Sequence, residues 1–277
     1  KKASNMQAMF FQCKSLTSLD VRHFVTKNVN SFESMFQNCE QLKYLDVSSF
    51  EGTNTGSISY MFSGCISLKS IQLTNFDSKS LRRMLNAFNG CESLTSLEFP
   101  KMTTSQVSNF DGIFFNCRNL EKLDLSNWDT AQSGTFEKTF CNCTALTSID
   151  ISNQFDTSYG KYFASMFEGC ESLVNLDTKK LDITLAIDTS SMFRNCKKLK
   201  LIEADNFNSA NVAMMGYMFA GCESLTSLNL KNLKSSKTTD MTRMFYGDSE
   251  LKYLDISSFE TTSLIHYDEM FEGTTNM

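Results

Sequence analysis

Apolar residues recur along this chain in a frame of 26 positions. Phenylalanine holds one column of the frame in every unit: Phe10, Phe36, Phe62, Phe88, Phe114, Phe140, Phe167, Phe193, Phe219, Phe245 and Phe271. Three positions on stands cysteine, from Cys13 and Cys39 to Cys222, with Asp248 and Thr274 in the last two units. Three positions further stands leucine, from Leu16 to Leu251. Every step is 26 residues except Cys143 to Cys170, which is 27. Ladders of this length do not arise by chance, so a repeat architecture governs the fold.

Within one unit, Phe32, Met35, Phe36 and Cys39 sit at i, i+3, i+4 and i+7, the spacing of one helix face. The residue before the cysteine register is Gly or Asn in ten of eleven units, Gln12 being the exception. Gly and Asn reach the left-handed backbone region most cheaply, which predicts a short two-turn helix ending on a cap. Leu45 and Val47 then alternate with polar neighbours, which is strand period. An aromatic residue follows in many units, as at Phe50, Phe76, Trp128 and Phe207. One such unit cannot bury its apolar side alone, but stacked units can. Parallel strands ~4.8 Å apart make ten coils a rod on the order of 50 Å long. Crossover chirality predicts right-handed coils.

The string Met-Phe-x-x-Cys-x-x-Leu-x-x-Leu-Asp-x-Ser-x-Phe runs from Met35 to Phe50. It resembles the 26-residue repeat of the BspA-like leucine-rich repeat class of bacterial surface proteins. The expected fold is α/β: a right-handed leucine-rich-repeat-type solenoid of about eleven coils, with a parallel sheet on one face and short helices on the other. The resemblance implies a secreted or cell-surface protein used for adhesion, and no catalytic residues. Two units depart from the pattern. Thr178 takes a core strand position and Gln154 adds a residue before Phe155, which predicts a local kink there.

Composition narrows the function. A net charge of -5 gives no electrostatic case for nucleic acid. No apolar run reaches the length of a membrane span, so no membrane insertion by this segment is expected. The two histidines, His23 and His266, lie about nine coils apart and cannot join one catalytic or metal site. No enzyme, cofactor or metal is expected. Asn142-Cys143-Thr144 is formally a glycosylation sequon, but its cysteine belongs to the buried column. The register cysteines are expected to be buried thiols, because parallel side chains in stacked coils hold Cβ atoms too far apart for good disulfide geometry. Cys141 lies out of register, in a column that tolerates Phe11, Gln37, Glu168 and Arg194. That tolerance predicts an exposed thiol, either reactive or incidental.

The outward strand position is where a ligand surface is expected. It carries Asp20, Asp46, Gln72, Glu98, Asp124, Asp150, Asp177, Glu203, Asn229 and Asp255. Carboxylates one coil apart repel unless something relieves them. Hydrogen bonds from local groups such as Ser48, Ser126, Ser152 and Ser257 would do so. A cationic partner or a ladder of divalent ions are the alternatives. Two positions earlier, Tyr44 and Tyr253 offer aromatic contact points on the same face. The expected partner is a protein or glycan on a host or neighbouring cell, or flanking domains or copies of the same array. A structural spacer and a cytoplasmic protein-binding scaffold remain open, the latter because unpaired cysteines suit a reducing compartment. Residues 1–277 read as one repeat array, with neither end carrying a polar capping unit, which predicts an excerpt of a longer chain.

Overall fold

The computed structural model describes residues 3–151, 154–204, 206–208 and 210–277. The chain winds as a parallel-stranded β-solenoid of about nine turns. The count falls short of the eleven coils that the phenylalanine ladder implies. The strands are β1 (Ser18–Leu19), β2 (Tyr44–Leu45), β3 (Ser70–Gln72), β4 (Ser96–Glu98), β5 (Lys122–Leu125), β6 (Ser148–Ile151), β7 (Ser227–Asn229) and β8 (Tyr253–Asp255). They pair in parallel as β1–β2, β3–β4, β5–β6 and β7–β8. The register matches each residue to its repeat equivalent, as in Asp124 with Asp150.

The expected helices are not there. The helix among the described residues is a single 3-10 turn, Thr178–Lys180. The segment from Phe32 to Cys39 is instead a run of turns whose amides alternate in direction. Phe32, Ser34, Phe36 and Asn38 donate N–H to Ser57, Ser59, Met61 and Ser63 of the next coil at 2.7–3.0 Å. Met35, Gln37 and Cys39 donate backwards to Phe32, Ser34 and Phe36 at 3.0–3.1 Å. An α-helix spends its interior amides on itself. Here every second amide stitches one coil to the next.

The backbone device is a left-handed residue every four positions. Ser34 and Asn38 have φ of 56° and 60°, Tyr60 and Gly64 have 57° and 73°. The Gly/Asn column before the register is therefore left-handed, as the sequence indicates, in the middle of a turn series rather than at a helix end. In that column Asn and Gly also fit one another. A Cβ on Gly221 would stand 2.5 Å from Asn195 Oδ1 of the previous coil.

The core is one continuous apolar column. The ladder rings from Phe10 to Phe271 stack with centroids 5.2–5.8 Å apart and planes within 2–13°. Such offset stacks add about 0.5–1.5 kcal/mol per pair beyond the burial of the rings. Beside them run the register thiols. All ten cysteines are free, and those from Cys39 to Cys222 are buried. Each register thiol from Cys39 on donates to the carbonyl of the ladder phenylalanine in the previous coil, as Cys39 to Phe10 at 3.1 Å and Cys117 to Phe88 at 3.2 Å. Burial pushes these thiols up, Cys91 to about 12.

Cys141 is also buried, at 4% exposure, against the expectation of an exposed thiol. Burial, and then the charge of Glu168, push it up to about 12. Variability along a column does not measure exposure. The longer residues one coil away in the same column, Phe115 and Glu168, are half-buried while Cys141 is buried.

Strand is missing from the described residues where the repeat is irregular. No strand lies between β6 and β7 among the described residues. Thr178 is buried there, and its hydroxyl donates to the Glu203 carbonyl at 2.9 Å and accepts the Glu203 amide at 2.7 Å. A side-chain hydroxyl thus takes over bonds that a strand backbone would make. At the insertion, the Gln154 carbonyl accepts the amides of Thr130 and Asp156.

Candidate functional site

The strand face is built by alternation. In β5 the residues Lys122 and Asp124 are exposed while Leu123 and Leu125 are buried. The acidic column lies on the exposed side: Asp20, Asp46, Glu98, Asp124, Asp150 and Asp177 are exposed, Glu203 and Asp255 half-buried. Pairing sets Gln72 beside Glu98, Asp124 beside Asp150, and Asn229 beside Asp255.

Repulsion along this column is relieved locally. The amide two residues on donates to the side chain: Ser48 to Asp46 at 3.0 Å, Ser126 to Asp124 at 2.8 Å, Ser257 to Asp255 at 3.0 Å, Lys231 to Asn229 at 3.1 Å. The Ser48 hydroxyl adds a bond of 2.6 Å to Asp46. Hydrogen bonds to the charged form favour it. Accordingly the side-chain and backbone bonds from Ser48, Ser126 and Ser257 hold Asp46, Asp124 and Asp255 below the usual carboxylate range. Ser152, the expected partner of Asp150, lies outside the described residues. Arg22 grips Asp20 through Nε at 3.0 Å and Nη2 at 2.9 Å and holds its carboxyl well below the ordinary value. Lys179 pairs with Glu203 at 3.0 Å. These pairs are exposed and contribute little to stability. Their effect is to fix side-chain direction.

The column does not form one site. Tyr44 is 65% exposed and sits with Asp46 beside Ser18, Asp20 and Arg22 on one side and Ser70 and Gln72 on the other, in two adjoining open hollows. Glu98 and Asp124 share a third hollow with Phe99, Pro100 and Asn127. Asp177 and Glu203 fall in the strandless stretch. Tyr253, 57% exposed, and Asp255 lie eight coils from Tyr44, roughly 40 Å at strand spacing, too far to touch the same small ligand. Among the described residues, no three His, Cys, Asp or Glu side chains converge so as to hold a metal ion. No helix of the described residues is long and apolar enough to cross a membrane.

Two exposed clusters lie outside the strand column. Tyr159, Tyr162, Leu185, Ile187 and Met214 are exposed on three consecutive coils, with Tyr162, Asp188 and Met214 bridged in sequence. The signal was available: at the positions of Tyr162 and Met214 earlier units carry Ser57, Arg83, Asn109 and Thr135. On the turn side, the guanidinium of Arg194 lies 4.7 Å and that of Arg243 5.9 Å from the Tyr217 ring. Arg194 also pairs with Glu168 and Arg243 with Glu269, so this cluster is largely self-neutralised.

Solved structures similar to this chain are repeat proteins. A leucine-rich repeat protein from Bacteroides ovatus matches with 19% identity and a TM-score of 0.43, over 98% of this chain and 80% of that one. A leucine rich cell surface protein from Faecalibacterium prausnitzii matches with 16% identity and a TM-score of 0.35, over 85% and 78%. An internalin from Listeria monocytogenes matches with 16% identity and a TM-score of 0.28, over 95% and 86%. No curated protein matches the chain. A family model matches in three overlapping stretches, residues 1–98, 83–202 and 187–277. With its whole length so matched, the chain belongs to the family described as "Mycoplasma protein of unknown function, DUF285".

Proposed function

We propose that this chain is a non-catalytic binding scaffold that presents its strand face to a protein or glycan ligand, as a cell-surface or secreted adhesion module of BspA-like type. The observation that carries the reading is the arrangement around Tyr44. An exposed aromatic ring stands among polar groups, Asp20, Asp46 and Arg22, whose directions are fixed by hydrogen bonds on a rigid backbone. Preorganised groups of this kind bind without a large ordering cost. An open face suits a broad ligand, whereas catalysis would require an enclosed pocket.

A second reading rests on a different observation. Ten free cysteines suit a reducing compartment, which favours a cytoplasmic protein-binding scaffold. Protease shaving of intact cells separates the two. Release of peptides from this array, without cytosolic markers, supports the surface reading; recovery only after lysis overturns it in favour of the cytoplasmic one. The binding face is tested separately, with the double variant Tyr44→Ala, Asp46→Ala on glycan and protein arrays. Undiminished capture would remove the strand face near Tyr44 as the binding surface.

A further inference from the structure

The register column is a column of hydrogen donors. From Cys39 to Cys222 each thiol gives its hydrogen to a ladder phenylalanine carbonyl one coil back, at 3.1–3.3 Å. At the far end Thr274 does the same, its Oγ1 donating to the Phe245 carbonyl at 2.8 Å. Between Cys222 and Thr274 stands Asp248, fully buried. Its Oδ1 accepts the Cys222 amide at 2.8 Å, while the Gly221 amide is spent on the Tyr246 carbonyl at 2.8 Å. Its Oδ2 is buried and has no partner.

The repeat assigns the Phe219 carbonyl to this position as acceptor. A carboxylate has no hydrogen to give and would set acceptor against acceptor in a dry interior, which costs free energy. A protonated carboxyl would carry a hydrogen on Oδ2, the oxygen left buried without a partner. The groups facing Asp248 do not compensate a negative charge. In the coil before, the Cys222 thiol is kept un-ionised by burial and gives its hydrogen to Phe193. In the coil after, Thr274 offers a hydroxyl already donated to Phe245. The Cys222 amide favours the ionised form, and burial outweighs it.

We propose that Asp248 is the proton-binding member of the column, a pH-sensitive latch that joins the coils of Phe219 and Phe245 while protonated and loosens them on ionisation. Burial raises the folded carboxyl from 3.8 to about 7. A raised value means that the folded chain holds the proton more tightly than the unfolded chain. The added stability is complete below 3.8 and is lost as pH rises through about 7. Between about pH 5 and about pH 8 the local opening constant rises on the order of a hundredfold.

Hydrogen exchange of the full chain, read by mass spectrometry and corrected for intrinsic exchange rates, measures that constant. Peptides from 219–276 should open about a hundredfold more at the higher pH, while peptides from 88–120 change little. Asp248→Cys restores the thiol donor and Asp248→Asn supplies an amide donor; either should flatten the dependence in 219–276. The same pH dependence in wild type and both variants, or none in wild type, overturns the proposal. Should the variants fail to fold, a carbon-13 titration of the wild-type carboxyl decides it. A midpoint near the ordinary 3.8 refutes the latch and one near 7 supports it.

Discussion

Along the turn side of the coils, stacked rings run unbroken from Phe10 to Phe271. Along the strand side, pairing is confined to segments of two to four residues, and among the described residues no strand lies between Ile151 and Ser227. The same coils carry both sides, so the solenoid tolerates loss of strand where it does not tolerate loss of the turn. The reason lies in bond count and burial. The turn segment from Phe32 to Cys39 sends four amides to the next coil and buries a ring and a thiol, with Leu42 buried just after it, whereas a strand such as β1 has two residues to pair. Cohesion resides in the turn column, and the strand face is free to vary its outward residues.

The most demanding test of the turn column is chemical. Burial holds Cys91 at about 12, so at mild alkaline pH its thiolate is rarer by about a thousandfold than that of a free cysteine. A small maleimide should therefore leave the thiols from Cys39 to Cys222 unlabelled in the native chain and modify all ten after denaturation, counted by intact mass. Extensive native labelling would mean that the column is not sealed. Phe140→Ala comes next. Its ring lies between Phe114 at 5.7 Å and Phe167 at 5.2 Å, and its loss should cost about 3–5 kcal/mol in urea unfolding.

Gly221→Ala strains a backbone at φ 75° and sets a methyl 2.5 Å from Asn195 Oδ1, a cost of about 1–3 kcal/mol. A neutral result would show that the left-handed column adjusts freely. On the strand side, Thr178→Val removes the hydroxyl that serves the Glu203 backbone and should cost about 1–3 kcal/mol by the same unfolding assay. If it cost more than Phe140→Ala, the ranking of the two sides would be reversed. Asp46→Ala is the smallest perturbation. An exposed side chain bonded to Ser48 should change stability by no more than about 0.5 kcal/mol, and a larger loss would give the acidic column a structural role.

Much of this organisation is legible in the residues. The 26-residue frame, the buried phenylalanine, cysteine and leucine columns and the left-handed Gly/Asn column all follow from spacing and residue type. The helix does not hold, because i, i+3, i+4, i+7 burial is shared by an α-helix and by turns with a left-handed residue every fourth position. The second left-handed column hides the difference. Beside Asn86 and Gly112 it carries Ser34, Tyr60, Lys138, Arg243 and Glu269, residue types with no left-handed preference, which blurs the column. Six of the eight acidic candidates stand exposed and two are half-buried, yet spacing alone does not say that Tyr44 and Asp46 share a hollow with Asp20.

Which side chains repeat, and which of them leave water, follows from residue type alone, since apolar burial and the left-handed tolerance of Gly and Asn belong to each residue. Where each amide and each small side chain points is settled only by the stacking of the coils. Alternate turn amides reach the next coil, Cys141 is buried, and Asp248 loses its contact with water. Those outcomes depend on the coil stacked above and below, and no single unit contains that information.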